Sequence, residues 1–402
     1  MRPSLRRPKL GRELGTTGVA GGAVKDQGQC VGLYIHIPFC RRRCLYCDFT
    51  SFTGHRRWWQ RYLQVLLQEI RELSPLRPCT LYVGGGTPTV WPAAYLEELI
   101  KAARAAGLGE GAEATVEANP GTVGPRKLAL LRQSGYNRLS LGVQSTKDEN
   151  LRLLGRLHTA QQAHCALAQA RAAGFANINI DIIYGLPGQS LAAFREDLER
   201  ALEWEPEHLS AYCLSLEPGT PLAEMVRKGL LPEPDPDLAA DMYCLAEELL
   251  ASAGYEHYEL SNWARPGFAC RHNLLYWRCE PYVGLGVSAY SFIDGKRFAR
   301  TADLASYVRL PVAQRIAFSE SIDGALAMFE AAMLGLRLVQ GLSREAFAAR
   351  FGVDPVALYA EAFSWAAGEG LLEVDESRVR FTQKGRLLSN EVFARMLPDR
   401  AG

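Results

Sequence analysis

The hydrophobic pattern of the first half of the chain alternates between short apolar runs and longer amphipathic stretches. The apolar runs predict six strands, at Leu33–Ile37, Thr80–Val83, Glu113–Glu117, Arg138–Val143, Asn177–Ile183 and His208–Leu216. Helix-period segments lie between them, at Trp58–Leu73, Pro92–Ala106, Gly124–Ser134, Thr146–Leu153, Ala160–Ala173 and Leu191–Trp204. Runs such as Ile178–Ile183 are apolar almost throughout, which is typical of parallel strands buried on both faces. Six β/α units in series predict an α/β fold built on a partial parallel (β/α)6 barrel rather than a doubly wound sheet.

The pattern changes after residue 220, and we predict barrel, extension and C-terminal domains at 31–220, 221–325 and 326–397. The last part predicts helices at Leu326–Leu336, Ser343–Phe351, Pro355–Glu369 and Lys384–Met396, with a hairpin at 371–381. This combination predicts a small winged-helix-like domain. Residues 326–402 hold nine Lys or Arg and ten Asp or Glu. Because DNA binding needs excess positive charge, a structural or lid role is the expectation.

Composition narrows the class of protein further. The chain has 402 residues, 48% of them hydrophobic, and a net charge of +1. Its overall charge therefore gives no electrostatic attraction for nucleic acid. No apolar run is long enough to span a bilayer, and a cytoplasmic location is expected. Residues 1–30 carry six Lys or Arg, two acids and no secretory apolar core. They predict a disordered N-terminal extension, with an organellar transit peptide as the alternative.

Three of the ten cysteines form a C-x3-C-x2-C pattern at Cys40, Cys44 and Cys47, directly after the first predicted strand. Three thiolates on one loop predict a four-iron cluster with one iron open to another ligand. A structural zinc site is the alternative, but no further Cys or His pair lies at a spacing that would close it. His36, on the preceding strand, is expected to be a strand-face residue. The scattered cysteines, such as Cys165, are expected to be buried and unreactive.

Polar residues and glycines follow successive predicted strands. Gly84–Pro88 follows the second strand, where glycine backbone could offer bare amides to a ligand or simply form a tight turn. Glu117, Gln144, Arg156 and Asp181 lie at or after the next strands. Because the carboxyl ends of barrel strands meet at one edge, these groups are expected to form one site. Together they could bind an ammonium, a carboxylate and ribose hydroxyls.

These motifs resemble the radical S-adenosylmethionine (SAM) superfamily. The resemblance implies a [4Fe-4S] cluster held by Cys40, Cys44 and Cys47, with SAM on the open iron. It also implies SAM contacts from Tyr34, Gly85, Gly86, Thr87, Glu117, Gln144, Arg156 and Asp181. Ser215 is a weaker candidate, matched by spacing alone.

Within that superfamily, the span from Tyr34 to about residue 397 is similar to the HemN-like group of oxygen-independent coproporphyrinogen dehydrogenases. Those dehydrogenases carry a further cysteine where this chain has Phe49, and residues 1–30 do not resemble their N-terminal segment. The resemblance is therefore to the HemW branch of haem chaperones, with coproporphyrinogen III dehydrogenase as the alternative. Whether SAM is cleaved is left open, and modification of RNA is disfavoured by the neutral charge.

The motif from His272 to Trp277, His-Asn-Leu-Leu-Tyr-Trp, carries the haem expectation. The resemblance implies that His272 ligates haem iron beside the aromatic Tyr276 and Trp277. The alternative is a hydrogen-bonded core histidine in an aromatic patch. The expected partners are haem, an acceptor protein such as a respiratory haem enzyme, and an electron donor.

Overall fold

The computed structural model of the chain describes residues 31–73 and 76–398. The predicted extension at residues 1–30 therefore lies outside the described residues. No helix in the described ranges is both long and apolar enough to cross a membrane.

The first half of the described chain contains the six expected β/α units. Its strands are β1 (Val31–Ile37), β2 (Phe39–Cys40), β3 (Phe52–Thr53), β4 (Pro78–Gly85), β5 (Glu113–Ala118), β6 (Arg138–Gln144), β7 (Ile178–Tyr184) and β8 (His208–Cys213). Its helices are α1 (Trp59–Arg71), α2 (Ala93–Ala105), α3 (Pro125–Ser134), α4 (Asp148–Leu153), α5 (Ala160–Ala172) and α6 (Leu191–Glu203). Strands β1, β4, β5, β6, β7 and β8 are parallel and lie side by side in chain order. The predicted parallel α/β architecture is therefore confirmed.

The middle of the chain extends the same sheet at both edges. Its elements are α7 (Pro221–Arg227), α8 (Pro236–Ser252), β9 (Glu256–Glu259), β10 (Asn262–Ala264), α9 (Arg271–Trp277), β11 (Tyr282–Leu285), β12 (Tyr290–Ile293), β13 (Lys296–Arg300), α10 (Leu304–Arg309) and β14 (Ile316–Ser321). Strand β11 pairs with β1 in parallel, and β12, β13 and β14 continue outward antiparallel. Strands β10 and β9 continue beyond β8. The sheet therefore has twelve strands and stays open, with β14 and β9 at its edges.

The last part of the described chain forms a separate hydrophobic cluster of its own. It contains α11 (Gly324–Gly335), β15 (Leu342–Ser343), α12 (Arg344–Phe351), α13 (Pro355–Leu358), α14 (Ala360–Gly368), β16 (Leu372–Val374), β17 (Arg378–Phe381), α15 (Gln383–Leu387) and α16 (Ser389–Met396). The predicted hairpin is β16–β17, and β15 adds a third strand beside β17. The helix predicted over Pro355–Glu369 is broken at Tyr359, whose backbone leaves the helical region at φ −111° and ψ 33°. The helix predicted over Lys384–Met396 is likewise broken at Leu388.

Alternation along the parallel strands separates an apolar outer face from a polar inner face. On β5, Ala114 and Val116 pack into the main core, while Glu113 and Glu117 form hydrogen bonds with other elements. On β7, Asn179 bonds Ser140 of β6 and His208 of β8 across the inside of the sheet. The inner face is therefore a connected polar surface, as a parallel barrel that binds a polar ligand requires.

Candidate functional site

The cysteine loop leaves the carboxyl end of β1 and is closed by a small two-stranded sheet. Strand β2, which ends at Cys40, pairs in parallel with β3, so the loop between them returns to its starting point. Inside the loop, the amide of Cys47 donates to the carbonyl of Cys44 at 3.3 Å, and Arg43 Nε donates to the carbonyl of Cys47 at 3.1 Å. All three cysteines are partly exposed. The loop therefore carries three partly exposed thiols at the barrel edge.

The donor set suits an iron–sulfur cluster, although the side chains do not adopt a ligating arrangement. Three soft thiols on one short loop are the ligand type that such clusters take. Burial raises the pKa of the Cys40 thiol, and it raises the pKa of Cys47 to about 11. Among the described residues, no three His, Cys, Asp or Glu side chains are grouped so as to hold a metal ion. The identity of the three ligands thus stays a prediction.

A hydrogen-bond network joins the cysteine loop to two of the predicted SAM residues. Thr87 Oγ1 lies 3.6 Å from Cys40 Sγ and accepts from Asn119 Nδ2 at 2.9 Å. Arg156 donates from Nη2 to Asn119 Oδ1 at 2.5 Å and from Nη1 to Cys44 Sγ at 3.4 Å. The structure therefore brings Thr87 and Arg156 onto the loop. Asn119 was missed from the sequence, where its only signal was its position directly after β5.

The backbone amides of the glycine turn form hydrogen bonds within the protein. The amide of Gly85 donates to Glu117 Oε2 at 3.0 Å, that of Gly86 to the carbonyl of Ile37 at 2.9 Å, and that of Thr87 to the carbonyl of Phe39 at 2.9 Å. In this conformation all three amides have acceptors, which fits the tight-turn alternative, and contacts from Gly85, Gly86 and Thr87 to SAM stay a prediction. Glycine is required here by close packing, since a Cβ on Gly85 (φ +113°) would lie 2.5 Å from the His36 ring.

Glu117, one of the predicted SAM contacts, accepts hydrogen bonds from two donors. Its Oε2 accepts from the amide of Gly85, and its Oε1 accepts from the hydroxyl of Tyr82 at 2.8 Å. Tyr82, on the inner face of β4, was not among the residues predicted from the sequence. The arrangement points one carboxylate at the turn where the barrel strands end.

Gln144 and Asp181 show the strain and burial expected of a binding site. Gln144 ends β6 with a φ of +73°, which a non-glycine residue adopts only when its surroundings hold it there. A register irregularity between β6 and β7 lies at the same point. Asp181 accepts from Asn179 Nδ2 at 2.8 Å, and burial raises the pKa of its carboxyl. Both residues lie on strand positions of the inner face.

Tyr34 lies on the inner face of β1, with its ring 6.2 Å from the ring of Tyr82. Its hydroxyl is 3.0 Å from His36 Nδ1, and His36 Nε2 is 2.9 Å from the carbonyl of Thr50 in the cysteine loop. His36 is therefore the strand-face residue predicted. Ser215 is exposed in the segment after β8, and its hydroxyl donates to Glu217.

His272 occupies the opposite end of the barrel, at the amino ends of the strands. Only 1% of it is exposed, and its ring nitrogens lie 2.7 Å from Thr80 Oγ1 and 2.8 Å from Tyr276 Oη. Burial lowers the pKa of His272 to about 3, so the ring is neutral. In this conformation both ring nitrogens form hydrogen bonds, as expected for the alternative interpretation of His272 as a core histidine. Haem ligation by His272 stays a prediction. It requires a change of conformation that frees a ring nitrogen from its hydrogen bond.

The expectation that the scattered cysteines are buried and unreactive is only partly met. Cys270 is buried, but Cys165 is exposed, because its position on α5 faces away from the sheet. Cys79 takes part in a disulfide bond, so it is not an unreacted thiol. None of these residues adds to the loop at Cys40–Cys47.

Comparison with protein families and curated relatives identifies what the chain is similar to. The radical SAM superfamily model matches residues 34–201, and the HemN C-terminal domain model matches residues 323–388. The heme chaperone HemW of Lactococcus lactis is 37% identical over 367 residues, covering 91% of this chain and 97% of that protein. The heme chaperone HemW of Escherichia coli is 34% identical over 378 residues, covering 92% and 98%.

A solved structure has the same fold. Coproporphyrinogen III oxidase (HemN) from Escherichia coli, described as a radical SAM enzyme, superposes with a TM-score of 0.80 at 26% sequence identity. The match covers 92% of this chain and 90% of that one. The likeness includes the extension and the C-terminal part as well as the parallel sheet, so the fold predicted from the sequence is confirmed over the described chain.

Proposed function

The chain belongs to the radical SAM superfamily and, within it, to the HemW family of heme chaperones, and from that premise we propose that it binds haem and transfers it to an acceptor protein. The observation that carries the proposal is similarity to HemW proteins along nearly the whole chain. The hydrogen-bonded link between the cysteine loop and Arg156 supports a cofactor site at the barrel edge. We place the protein in the cytoplasm and expect a separate electron donor.

The cofactor site would be built from the residues at the carboxyl edge. Cys40, Cys44 and Cys47 would hold a [4Fe-4S] cluster, which when bound supplies an electron for SAM chemistry. Glu117 would accept hydrogen bonds from the methionyl ammonium, while Arg156 would place positive charge beside the cluster thiolates. The strained Gln144 and the half-buried Asp181 would contact the remaining polar groups of SAM.

The haem site is proposed at the motif that runs from His272 to Trp277. Because the His272 ring is buried with both nitrogens bonded, ligation requires α9 to shift and release Tyr276. The test is an anaerobic haem titration of the cluster-loaded protein and its His272→Ala variant, followed by the Soret band. A shifted band and weaker binding in the variant support ligation, whereas an unchanged band assigns the axial ligand elsewhere.

A second candidate function is oxidative decarboxylation of coproporphyrinogen III, favoured by the 0.80 TM-score to HemN. The two functions give different products. Cluster-loaded protein is incubated anaerobically with SAM, a reductant and either haem or coproporphyrinogen III, and the mixtures are analysed by mass spectrometry. Haem binding and transfer to an apo-acceptor without protoporphyrinogen supports the chaperone. Formation of protoporphyrinogen would replace it with the enzyme.

A further inference from the structure

Tyr82 connects two parts of the molecule that lie at opposite ends of the barrel interior. At one end, its hydroxyl donates to Glu117 Oε1 at 2.8 Å, while Oε2 of the same carboxylate accepts from Gly85. Two donors on one carboxylate fix both its position and its rotation. Glu117 therefore takes its orientation from Tyr82 as much as from the glycine turn.

At the other end, the ring of Tyr82 stacks on the ring of His272. The centroids are 5.2 Å apart, with 28° between the planes. His272 is itself held by Thr80 on one side and by Tyr276 on the other. Because this imidazole is neutral and fully buried, the stack is an apolar contact between two fixed rings. A shift of α9 that moved His272 would remove the surface against which Tyr82 rests.

We propose that Tyr82 is a positioning residue for the SAM site, and that His272 positions Tyr82. The hydroxyl of Tyr82 presents the Glu117 carboxylate to the ammonium of SAM, and the stack on His272 prevents the Tyr82 ring from turning away. Only the SAM part of the proposed function is assumed. The motif at 272–277 thereby influences SAM affinity from the far end of the barrel, whether or not it ligates haem.

The first experiment removes a single oxygen. Tyr82→Phe keeps the ring and its stack but removes the donor to Glu117. SAM affinity is measured by calorimetry on anaerobically reconstituted, cluster-loaded protein, and the EPR spectrum of the reduced cluster is recorded with and without SAM. We expect SAM binding to weaken about tenfold, because the carboxylate loses one of the two donors that orient it toward the ammonium, and we expect a smaller SAM-induced spectral change.

Tyr136→Phe is the matched control. The Tyr136 hydroxyl is also buried and donates a 2.8 Å hydrogen bond, but to the carbonyl of Leu96 in the outer layer of the barrel. It should lower thermal stability as Tyr82→Phe does while leaving SAM affinity unchanged. SAM affinity of Tyr82→Phe within twofold of the parent, or an equal loss of affinity in Tyr136→Phe, would overturn the proposal.

The second experiment tests the route through His272. His272→Phe keeps an aromatic ring against Tyr82 but removes both hydrogen bonds that hold it, and His272→Gln serves if that variant does not fold. The loss of SAM affinity should be present in the parent background and absent in the Tyr82→Phe background. Additive losses would mean that His272 does not act through Tyr82. All these measurements are made without haem, so a failure of haem binding in a separate titration would leave their outcome intact.

Discussion

Replacing Glu113 with Gln is expected to loosen helix α9, which carries the motif from His272 to Trp277. Glu113 lies on β5 and is 6% exposed. Its Oε2 accepts from the amide of Arg271 and its Oε1 from the amide of His272, both at 2.9 Å. The carboxylate thus binds both amides at the start of a helix whose own N-cap residue, Cys270, makes no side-chain capping bond.

The size of the effect follows from these contacts. A carboxamide has one acceptor oxygen, so Gln at position 113 can serve one of the two amides and turns an N–H donor toward the other. One hydrogen bond to a charged group is lost, at about 1.5–3 kcal/mol, and a buried amide is left without an acceptor. Arg138 also loses the nearest negative charge on β5. We expect Glu113→Gln to lower the free energy of unfolding by about 2–4 kcal/mol and Glu113→Ala by about 3–5 kcal/mol.

Urea unfolding followed by tryptophan fluorescence measures this loss, and Glu110→Gln is the control. Glu110 is exposed in the loop just before β5, so its replacement should change the free energy of unfolding by less than about 0.5 kcal/mol. If Glu113→Gln were equally neutral, the carboxylate would not be what anchors α9. The argument that His272 is held in a fixed position would then lose one of its contacts, the hydrogen bond from its amide to Glu113.

Three further outcomes are expected. Glu69→Gln should lower the free energy of unfolding by about 3–5 kcal/mol in urea, because it leaves the buried guanidinium of Arg315, now 2.9 Å from the carboxylate, without its counter-charge. Burial lowers the pKa of His158 to about 4 and of His272 to about 3, from 6.5. The unfolded chain is therefore protonated first as the pH falls, and each histidine should cost about 1.4 kcal/mol of stability per pH unit between about pH 6.5 and its folded-state pKa. Urea midpoints at pH 7.5 and 5.5 test this, and His272→Gln should remove its share. Asn119→Ala should weaken SAM binding about tenfold by cutting the network behind the cysteine loop, and an unchanged calorimetric affinity would exclude that role.

The parallel sheet could be predicted because its signal is local. Strands buried on both faces are largely apolar in sequence, so a run such as Ile178–Ile183 can be recognised as a strand from its composition. The same holds for groups at the strand ends, since chain order places Glu117, Gln144 and Asp181 on neighbouring parallel strands. Helix breaks were harder to predict, because nothing in the composition around Tyr359 distinguishes one helix from two.

Contacts across the sheet could not be predicted. Sequence shows that Gly85 is permissive, but not that its amide already has an acceptor in Glu117. Tyr82 and Asn119 acquire their importance from partners on other strands, at separations that no spacing rule covers. His272 was predicted from its motif, yet only the structure places both of its nitrogens in hydrogen bonds at the far end of the barrel.

The pairing of β1 with β11 has a consequence for the way the chain is made. Tyr34 on β1 lies opposite Gly284 on β11. Strand β1 therefore cannot pair with β11 until another 250 residues have been synthesised. At about 5–20 residues per second, ribosomes need roughly 12–50 s to supply it. During that interval the edge of β1 is open to pairing with other chains, and cysteines 40, 44 and 47 have already emerged. Because of this order of synthesis, loading of the iron–sulfur cluster and aggregation through the β1 edge can occur during the same interval.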